Sequence, residues 1–338
     1  MTATMKGMAI RKYGKNSPLE EMEFPIPTVF DEDVLIEIHA ASVNPIDFKN
    51  RNGVVKLLYT CPMPFIMGND CAGIVTKIGA KVTEFKVGDR VYSRAPRGRS
   101  GTFAEYIAIN QSYVSRMPQG LSFVEASSIP LVGLTAYQAL HDTLQLKEGQ
   151  KVLIHAGAGG LGTFAIQLAK SMGLYVATTA SEKGYELVKA LGADEIINYK
   201  MEAFEQQLQD YDAVLDTLGG DNLIKSFKVV KKGGKVLSVS GVPDRRIAVK
   251  FGLGLVPTVL LTLASSYITA TSYYYGVDYE FLFMEANGQE LHCITDLIEQ
   301  GKIKPVIDRT FALSEGQQAL DYVESGHAKG KVVIQVRE

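Results

Sequence analysis

Residues 151–173 read KVLIHAGAGGLGTFAIQLAKSMG and combine a short apolar strand, a glycine-rich turn and an amphipathic helix. The strand KVLIHA (151–156) leads directly into the turn, and the following helix keeps its apolar residues on one face until Gly173. The turn consists of Gly157, Ala158, Gly159, Gly160, Leu161 and Gly162. Its G-x-G-x-x-G pattern between a strand and a helix predicts a dinucleotide site.

Each glycine of this turn has an expected purpose. Gly157 is expected to allow a sharp turn, Gly159 to open the backbone to a pyrophosphate, and Gly162 to let helix and strand pack closely. Gly160 and Leu161 begin the helix, whose free N–H groups and positive dipole end favour phosphate binding. The alternative interpretation is a tight turn without a ligand.

The end of the next strand indicates which dinucleotide binds. NAD-binding proteins place an acidic residue about 20 residues after the glycines to bind the ribose 2′-hydroxyl. The sequence has Thr-Ala-Ser at 179–181, with Glu182 immediately after them. Ser181 and Lys183 can instead bind a 2′-phosphate, and Tyr199 can flank the adenosine. NADPH is therefore predicted over NADH, unless Glu182 turns inward.

Short apolar strands alternate with amphipathic helices around this turn. The strands after it are LYVATT (174–179), EIIN (195–198), YDAVLDT (211–217) and KVLSVS (235–240). This alternation predicts an α/β fold with a doubly wound parallel sheet and helices on both faces. The first 125 residues are instead β-rich, and the tail mixes helices and strands.

Composition sets limits on the class of protein. A length of 338 residues suggests two domains, and 46% hydrophobic with 21% charged residues indicates a globular chain. The net charge of −2 gives no basic surface for nucleic acid. Three cysteines suit a reducing cytosol, and the N-terminus has no apolar run typical of a signal peptide. A cytoplasmic protein is expected.

The chain resembles the medium-chain dehydrogenase/reductase superfamily over nearly its whole length. The resemblance is carried by SVNPIDFK (42–49), GNDCAGIVTKIG (68–79), GAGGLG, LGADEIINY (191–199) and PVIDRTF (305–311). It is most similar to the zinc-independent branch, which contains zeta-crystallin-like quinone oxidoreductases and alkenal/enone reductases. The resemblance implies a GroES-like β-rich catalytic domain from both chain ends, residues 1–126 and 278–338. A Rossmann NADP(H)-binding domain, residues 127–277, is inserted between them.

The expected zinc ligands of that superfamily are missing here. Zinc-dependent members have Cys at the position of Asn44 and His-Glu at Asn69-Asp70, and a third ligand Cys is absent near Leu131. Residues 90–105 contain none of the cysteines of the structural zinc lobe. Asparagine is a poor zinc ligand beside thiolate and imidazole. The sequence therefore predicts no metal site.

Without a metal, hydride addition to an electrophilic acceptor is the easier reaction. Quinones and α,β-unsaturated carbonyls qualify, because conjugation spreads the negative charge. The resemblance places Asn44 at the nicotinamide pocket, where its amide can donate to a carbonyl oxygen. Lys49 aligns with a lysine of the alkenal/enone branch, although an exposed surface charge is the alternative. Asp47 is expected to anchor the loop.

Further cofactor contacts are predicted by position or resemblance. Parallel sheets bind ligands at the carboxyl ends of their strands, which favours the residues after the fourth and fifth strands. The remaining candidates follow segments that line the cofactor in the family. These residues are Thr135, Leu218, Ser240, Phe281, Phe283 and Lys329. Helix capping, core packing or an exposed charge are the alternatives for several of them.

Residues 251–277 contain no charged side chain. They are long enough to cross a bilayer, but a crossing would separate the two parts of one catalytic domain. We expect no membrane span and instead a helix that covers the acceptor pocket or contacts a partner subunit. The run Tyr273-Tyr274-Tyr275 fits either role.

The combined prediction is an NADPH-dependent, zinc-free reductase of quinones or enones, which acts on a small molecule. A homodimer is the family expectation. Two alternatives stay open. An enoyl-thioester reductase would suit the apolar stretch, and an NADPH-binding sensor or structural protein would bind the cofactor without turnover.

Overall fold

The computed structural model describes residues 3–56, 60–99 and 101–337. The N-terminal part is rich in strands, as predicted. Its elements are β1 (Thr4–Ile10), β2 (Glu20–Pro25), β3 (Asp33–Val43), α1 (Pro45–Asn52), β4 (Phe65–Ile66), β5 (Asp70–Ile78), β6 (Arg90–Arg94), β7 (Tyr106–Asn110), a 3₁₀ turn (Gln111–Tyr113), β8 (Val114–Arg116) and α2 (Phe123–Ser127).

Strands and helices then alternate in the central part of the chain. Its elements are α3 (Pro130–Tyr137), a π-helical turn (Gln138–Thr143), β9 (Lys151–Ile154), α4 (Gly160–Ser171), β10 (Tyr175–Ala180), α5 (Glu182–Ala190), β11 (Glu195–Asn198), α6 (Phe204–Gln207), β12 (Tyr211–Asp216), α7 (Gly220–Ser226), β13 (Val230–Ser238), α8 (Arg245–Lys250), α9 (Leu255–Tyr275) and β14 (Asp278–Phe281).

The tail contains both element types, as its sequence predicts. Its elements are α10 (Gly288–Glu299), β15 (Ile307–Ala312), a 3₁₀ turn (Leu313–Glu315), α11 (Gly316–Glu324) and β16 (Lys331–Gln335).

The chain divides into two compact units, Met1–Leu134 with Glu285–Glu338, and Thr135–Met284. The predicted boundaries lie at 126/127 and 277/278, earlier in both cases. The second difference has a clear cause: β14 continues the parallel sheet beside β13 (Lys235 pairs with Asp278), beyond the predicted end of that domain.

The second unit contains a six-stranded parallel sheet of order β11-β10-β9-β12-β13-β14. The chain starts in the middle at β9, moves out to β11, and returns to continue from β12 on the other side. This is the Rossmann order 3-2-1-4-5-6, in which ligands bind where the winding direction reverses. The predicted α/β fold is confirmed, and the reversal lies at β9 and β12.

The core of the second unit explains why its strands are continuous apolar runs. Strand residues such as Leu153, Val214 and Val236 are buried and pack with Phe227 and Tyr279 from the elements around them. The uncharged stretch is mostly the 21-residue helix α9. Within the described residues, α9 is also the helix whose length and apolar composition would allow a membrane crossing.

The first unit is built from strands of both chain ends, which pair antiparallel except for the parallel pair of β15 and β16. One sheet has the order β2-β1-β4, and the other runs β15-β16-β3-β5-β6-β8, with β7 also paired to β3. Strand β16 lies antiparallel to β3, with Val332 opposite Val43. Strand β16 thus begins beside the point where β3 leads into α1, which positions the site described below.

We expect Phe227→Ala to lower the free energy of unfolding by about 3–5 kcal/mol, since it empties a fully buried core position against Tyr279. Urea denaturation monitored by circular dichroism measures the loss. Met201→Ala is the control, because Met201 is 81% exposed and should change stability little. Equal effects of the two substitutions would contradict this packing.

Candidate functional site

The glycine turn joins β9 to α4 at the carboxyl edge of the parallel sheet. The residue with a left-handed backbone conformation is Ala156, which directly precedes the turn and has φ +53°, and not Gly157. A Cβ atom on Gly157 would lie 2.1 Å from Oγ1 of Thr178 in β10. The predicted reason for Gly157, a sharp turn, is therefore wrong: glycine is needed because the turn passes against the neighbouring strand.

The other two glycines serve the expected purposes. A Cβ on Gly162 would lie 2.3 Å from the Ala156 carbonyl oxygen, so helix and turn pack as closely as predicted. Gly159 is the N-cap of α4, and its open side has that same carbonyl, at 3.3 Å, as nearest neighbour. The N–H groups of Gly160 and Leu161 lie in the first turn, where no intrahelical acceptor exists. This arrangement fits a pyrophosphate.

The predicted 2′-phosphate residues come together at the ends of β10 and β11. Ser181 is the N-cap of α5, and its hydroxyl makes no capping hydrogen bond. Lys183 lies in the first turn of the same helix and is exposed. The Tyr199 backbone N–H donates to the Ala180 carbonyl at 3.3 Å, which holds this 57% exposed tyrosine beside Ser181. Glu182 is exposed in the same first turn.

Buried Asp216 organises the ends of β12 and β13. Its carboxylate accepts hydrogen bonds from the N–H groups of Leu218 (3.1 Å) and Gly219 (3.0 Å). It also accepts from the Ser238 hydroxyl at 2.6 Å, and the oxygen of that hydroxyl accepts from the Ser240 N–H at 3.2 Å. The predicted residues Leu218 and Ser240 are thus held on adjacent turns. Asp216 and Ser238 were not predicted as site residues, although a polar residue at the end of an apolar strand is a sequence signal for such a site.

Three further predicted cofactor residues lie in packed surroundings. Phe281 ends β14 and packs on the core of the second unit. The Phe283 ring meets that of Phe251 edge-on at 5.1 Å. Thr135 is buried in α3. Their contact with nicotinamide stays a prediction.

His155 lies at the end of β9 and has a structural environment. Its Nε2 atom is 2.9 Å from the Ser226 hydroxyl, and Nδ1 is 3.3 Å from the Thr179 hydroxyl. Burial lowers the pKa of His155 to about 4, against the opposing effect of Asp216. The imidazole is therefore neutral near pH 7, which agrees with the structural role expected for it.

The first unit contains a buried polar cluster formed by Ser42, Asn44, Asp47, Asn69, Asp70 and Lys331. Asn44 is fully buried and begins α1 as its N-cap. Its Nδ2 donates to the Ser42 carbonyl at 3.2 Å and to Oδ2 of Asp70 at 2.9 Å. Its Oδ1 accepts from the Lys331 ammonium group. All polar atoms of the Asn44 amide thus have partners within the cluster.

Asp47 anchors the start of α1, as expected. One carboxylate oxygen accepts from the Asn44 backbone N–H at 2.7 Å, and the other accepts from the Asn69 amide at 2.7 Å. Burial raises the pKa of Asp47 to about 7, even though both hydrogen bonds and Lys331 oppose the shift. This carboxyl is therefore partly protonated near neutral pH.

Lys331 is the residue of this cluster that sequence reasoning missed. It is the first residue of β16 and only 5% exposed, and its Nζ lies 3.9 Å from Oδ2 of Asp70. Burial lowers the pKa of Lys331, while Asp70 and Asp47 act in the opposite direction. Burial raises the pKa of Asp70, with Lys331 as the largest opposing influence. A lysine at the start of an apolar strand was the available signal, whereas Lys329 was the lysine predicted from the resemblance.

The cluster does not fit a catalytic zinc ion. Zinc sites of this kind use three protein ligands from His, Cys, Asp or Glu, and no group of three such residues suited to a metal occurs among residues 3–56, 60–99 and 101–337. Asn44 Oδ1 is bound by the Lys331 ammonium group, which also lies 3.9 Å from Oδ2 of Asp70. A second cation would meet this charge at short range.

The structure changes the role expected of Asn44. Both of its amide hydrogens are used by Ser42 and Asp70, so donation to a substrate carbonyl is not available in this arrangement. Asn44 is better described as a positioning residue between β3, β5 and β16.

Lys49 and Lys329, the two lysines predicted to lie near cofactor or acceptor, have different surroundings. Lys49 lies in α1, is half-buried, and makes no side-chain hydrogen bond or ion pair with any residue the structure describes. Burial lowers its pKa. Lys329 is half-buried in the turn before β16, and its contact with the cofactor stays a prediction.

Two family models match the chain: "Alcohol dehydrogenase GroES-like domain" over residues 31–119 and "Zinc-binding dehydrogenase" over residues 191–334. The mouse (Mus musculus) protein "NAD(P)H oxidoreductase RTN4IP1, mitochondrial" is 35% identical, covering 99% of this chain and 90% of its own length. The Arabidopsis thaliana "NADPH-dependent alkenal/one oxidoreductase, chloroplastic" is 34% identical, covering 98% and 79%.

A solved structure is similar over the same extent. The quinone oxidoreductase from Coxiella burnetii is 35% identical, with a TM-score of 0.86, covering 99% of this chain and all of its own. Nearly the entire chain thus resembles nicotinamide-dependent oxidoreductases in sequence and in fold.

The raised pKa of Asp47 predicts a pH dependence of stability. The folded carboxyl keeps its proton up to about pH 7, whereas the unfolded one loses it near 3.8. The folded chain binds more protons in that window, so this contribution to stability falls as the pH rises, by at most about 1.4 kcal/mol per pH unit. The unfolding free energy of the wild type minus that of the Asp47→Asn variant should therefore fall as the pH rises from 3.8 to about 7. A difference that stays constant or rises would contradict this environment.

Proposed function

Since the chain belongs to the medium-chain dehydrogenase/reductase family and is an oxidoreductase with a nicotinamide cofactor, we propose that it transfers hydride from NADPH to quinones or α,β-unsaturated carbonyls without a zinc ion. The observation that carries this proposal is the Lys331 ammonium bound to Asn44 beside Asp70. We expect alcohol oxidation in this superfamily to rely on a zinc ion that acidifies the hydroxyl, and the donors of this cluster do not suit zinc. The alkenal/one and quinone specificities named for two similar proteins support the same acceptor class.

The chain's own residues have a limited task in this chemistry. When bound, NADPH supplies the hydride, and the conjugated acceptor takes up the negative charge. The protein must stabilise charge that appears on the acceptor oxygen and exclude water. Lys49 suits this task, because its half-buried ammonium has no partner among the described residues. Its lowered pKa also makes it a better proton donor to the resulting enolate or hydroquinone anion.

The buried polar cluster supports this task by holding the start of the helix that carries Lys49. Asn44 directly follows β3 and is the N-cap of α1, the helix that carries Lys49. The hydrogen bonds of Asn44 with Asp70 and Lys331 fix that helix start. We therefore assign Asn44 and Lys331 to positioning and Lys49 to contact with the acceptor.

The preference for NADPH is proposed from the ends of β10 and β11. The hydroxyl of Ser181, the cation of Lys183 and the exposed ring of Tyr199 lie together there. A 2′-phosphate would gain charge-assisted hydrogen bonds from the first two residues. Glu182 would oppose it only by turning towards the ribose.

We also propose a reducing compartment, the cytoplasm, and a homodimer. The support for the compartment is that Cys61, Cys71 and Cys293 are all free thiols. Cys71 is buried, and burial raises its pKa, which keeps the thiol unreactive.

Lys183→Ala should weaken NADPH binding about tenfold and leave NADH binding nearly unchanged, because it removes one charged contact to the 2′-phosphate. Fluorescence titration with both cofactors measures the ratio. Lys189→Ala, near the other end of α5, is the matched control. Equal affinity of the wild type for NADPH and NADH would refute the cofactor assignment.

NADPH oxidation should be seen with a panel of enals, enones and quinones, and should be insensitive to a chelator. Metal analysis of the purified enzyme should find no stoichiometric zinc.

Lys49→Met should lower kcat about 10–100-fold by removing a charge from the developing oxyanion, with partial rescue by Lys49→Arg. The exposed neighbour Lys56→Met is the control.

Three results would count against this function. The first is no turnover of any acceptor on the panel, and the second is activity that needs added zinc. The third is a marked preference for enoyl thioesters over free enones, which would favour the thioester reductase instead.

A further inference from the structure

Three buried polar side chains form a hydrogen-bonded row next to the glycine turn. His155, Thr179 and Ser226 are each at most 2% exposed. They come from three separate elements, directly after β9, in β10 and in α7. The His155 ring lies between the other two side chains, with Nδ1 3.3 Å from the Thr179 hydroxyl and Nε2 2.9 Å from the Ser226 hydroxyl. We call these three residues the His155 row.

The contacts at the far end of the row decide which ring nitrogen carries the hydrogen. The Ser226 hydroxyl donates its single hydrogen to the Asn222 carbonyl oxygen at 2.7 Å, which can only accept. The Ser226 oxygen must then accept from Nε2 of His155. Burial lowers the pKa of His155 to about 4, so the ring is neutral near pH 7. Nδ1 therefore has no hydrogen and accepts from the Thr179 hydroxyl, and the row runs in one direction from Thr179 to Asn222.

The Thr179 end of the row holds the backbone where the glycine turn begins. The Thr179 hydroxyl oxygen accepts from the Ala156 N–H at 3.0 Å, and the Thr179 carbonyl oxygen accepts from the Gly157 N–H at 3.0 Å. Ala156 has φ +53°, a conformation that is strained for a residue with a side chain. Its carbonyl oxygen accepts at 2.9 Å from the N–H of Gly159, the N-cap of α4. The conformation of Ala156 therefore determines where α4 begins.

The backbone of His155 is also connected to the turn after β12. Its carbonyl oxygen accepts from the Thr217 hydroxyl at 2.9 Å. Thr217 directly precedes Leu218 and Gly219, whose N–H groups donate to Asp216. His155 thus contacts residues of both turns at the point where the winding of the sheet reverses, which is where such sheets bind their ligands.

We propose that His155 is a positioning residue for the nicotinamide cofactor. It fixes the Thr179 hydroxyl, and that hydroxyl holds Ala156 in the conformation that the pyrophosphate-binding turn requires. When this hold is lost, fewer chains have the turn in its binding conformation, and the apparent dissociation constant rises in proportion. Both NADPH and NADH contain the pyrophosphate, so both affinities should fall by the same factor. The inference rests on a pyrophosphate at this turn, and not on the proposed NADPH preference or acceptor.

His155→Asn and His155→Gln separate the two ends of the row. The asparagine side-chain oxygen can take the place of Nδ1 and accept from Thr179, whereas the glutamine amide reaches the place of Nε2 and donates to Ser226. We expect His155→Gln to weaken the binding of both cofactors at least about fivefold, and His155→Asn to leave it within about twofold. Thr179→Val, which removes the hydroxyl and keeps the side-chain shape, should weaken binding at least as much as His155→Gln. Fluorescence titration with NADPH and NADH measures these affinities.

Ala156→Gly tests whether the row acts through the strained residue. Glycine adopts the left-handed conformation without strain, so this substitution should recover part of the affinity that His155→Gln loses. Thr295→Val is the matched control, because it removes another buried threonine hydroxyl, which lies 2.9 Å from the Tyr92 hydroxyl in the first unit. It should lower the free energy of unfolding without changing either affinity. Circular dichroism and urea denaturation measure folding and stability of each variant.

Equal losses in His155→Gln and His155→Asn would overturn the proposal, as would affinities that simply follow stability in every variant, Thr295→Val included. A loss of NADPH binding alone would also overturn it, because the pyrophosphate is common to both cofactors. A parallel fall for both cofactors in His155→Gln, with recovery by Ala156→Gly, would support it. The proposed NADPH preference is decided separately by Lys183→Ala, which should affect NADPH and not NADH.

Discussion

The first unit depends on the ammonium group of Lys331, which is buried as Arg51 and Arg94 are, but which connects the two chain ends through a shared polar cluster. It joins the last strand, β16, to the ends of β3 and β5 through Asn44 and Asp70. Removing a charge this deep from water is costly, and only the partners that surround it offset the cost. The lysine therefore closes the unit formed by the two chain ends.

The second unit obtains its binding edge from close packing and from the hydrogen bonds of buried Asp216. Gly157 and Gly162 bring α4 against β9 and β10, with no space for a methyl group at either position. Asp216 then gathers N–H groups from the turns after β12. In our proposal, the start of α4 in this unit binds phosphates, and Lys49 of the first unit contacts the electron acceptor.

The parallel sheet and its glycine turn were predictable, because buried strands and amphipathic helices leave clear periodicities in the sequence. Strand β14 was missed because four residues after an uncharged stretch have no periodicity of their own. Lys331 was missed for a different reason: a lysine at a strand start is normally exposed, and its burial depends on partners 261 and 287 positions earlier in the chain. The reason for Gly157 was misjudged because a contact with the next strand cannot be read from a local motif. The role of Asn44 changed because its hydrogen-bond partners come from three separate strands.

The distance along the chain between Lys331 and its partners has a consequence for folding during synthesis. Asn44 and Asp70 precede the second unit in the sequence, and Lys331 follows it. A growing chain therefore cannot form these contacts before the whole second unit has been synthesised. Until then the Asp70 carboxyl and the Asn44 amide oxygen lack this cation, and the first unit stays open.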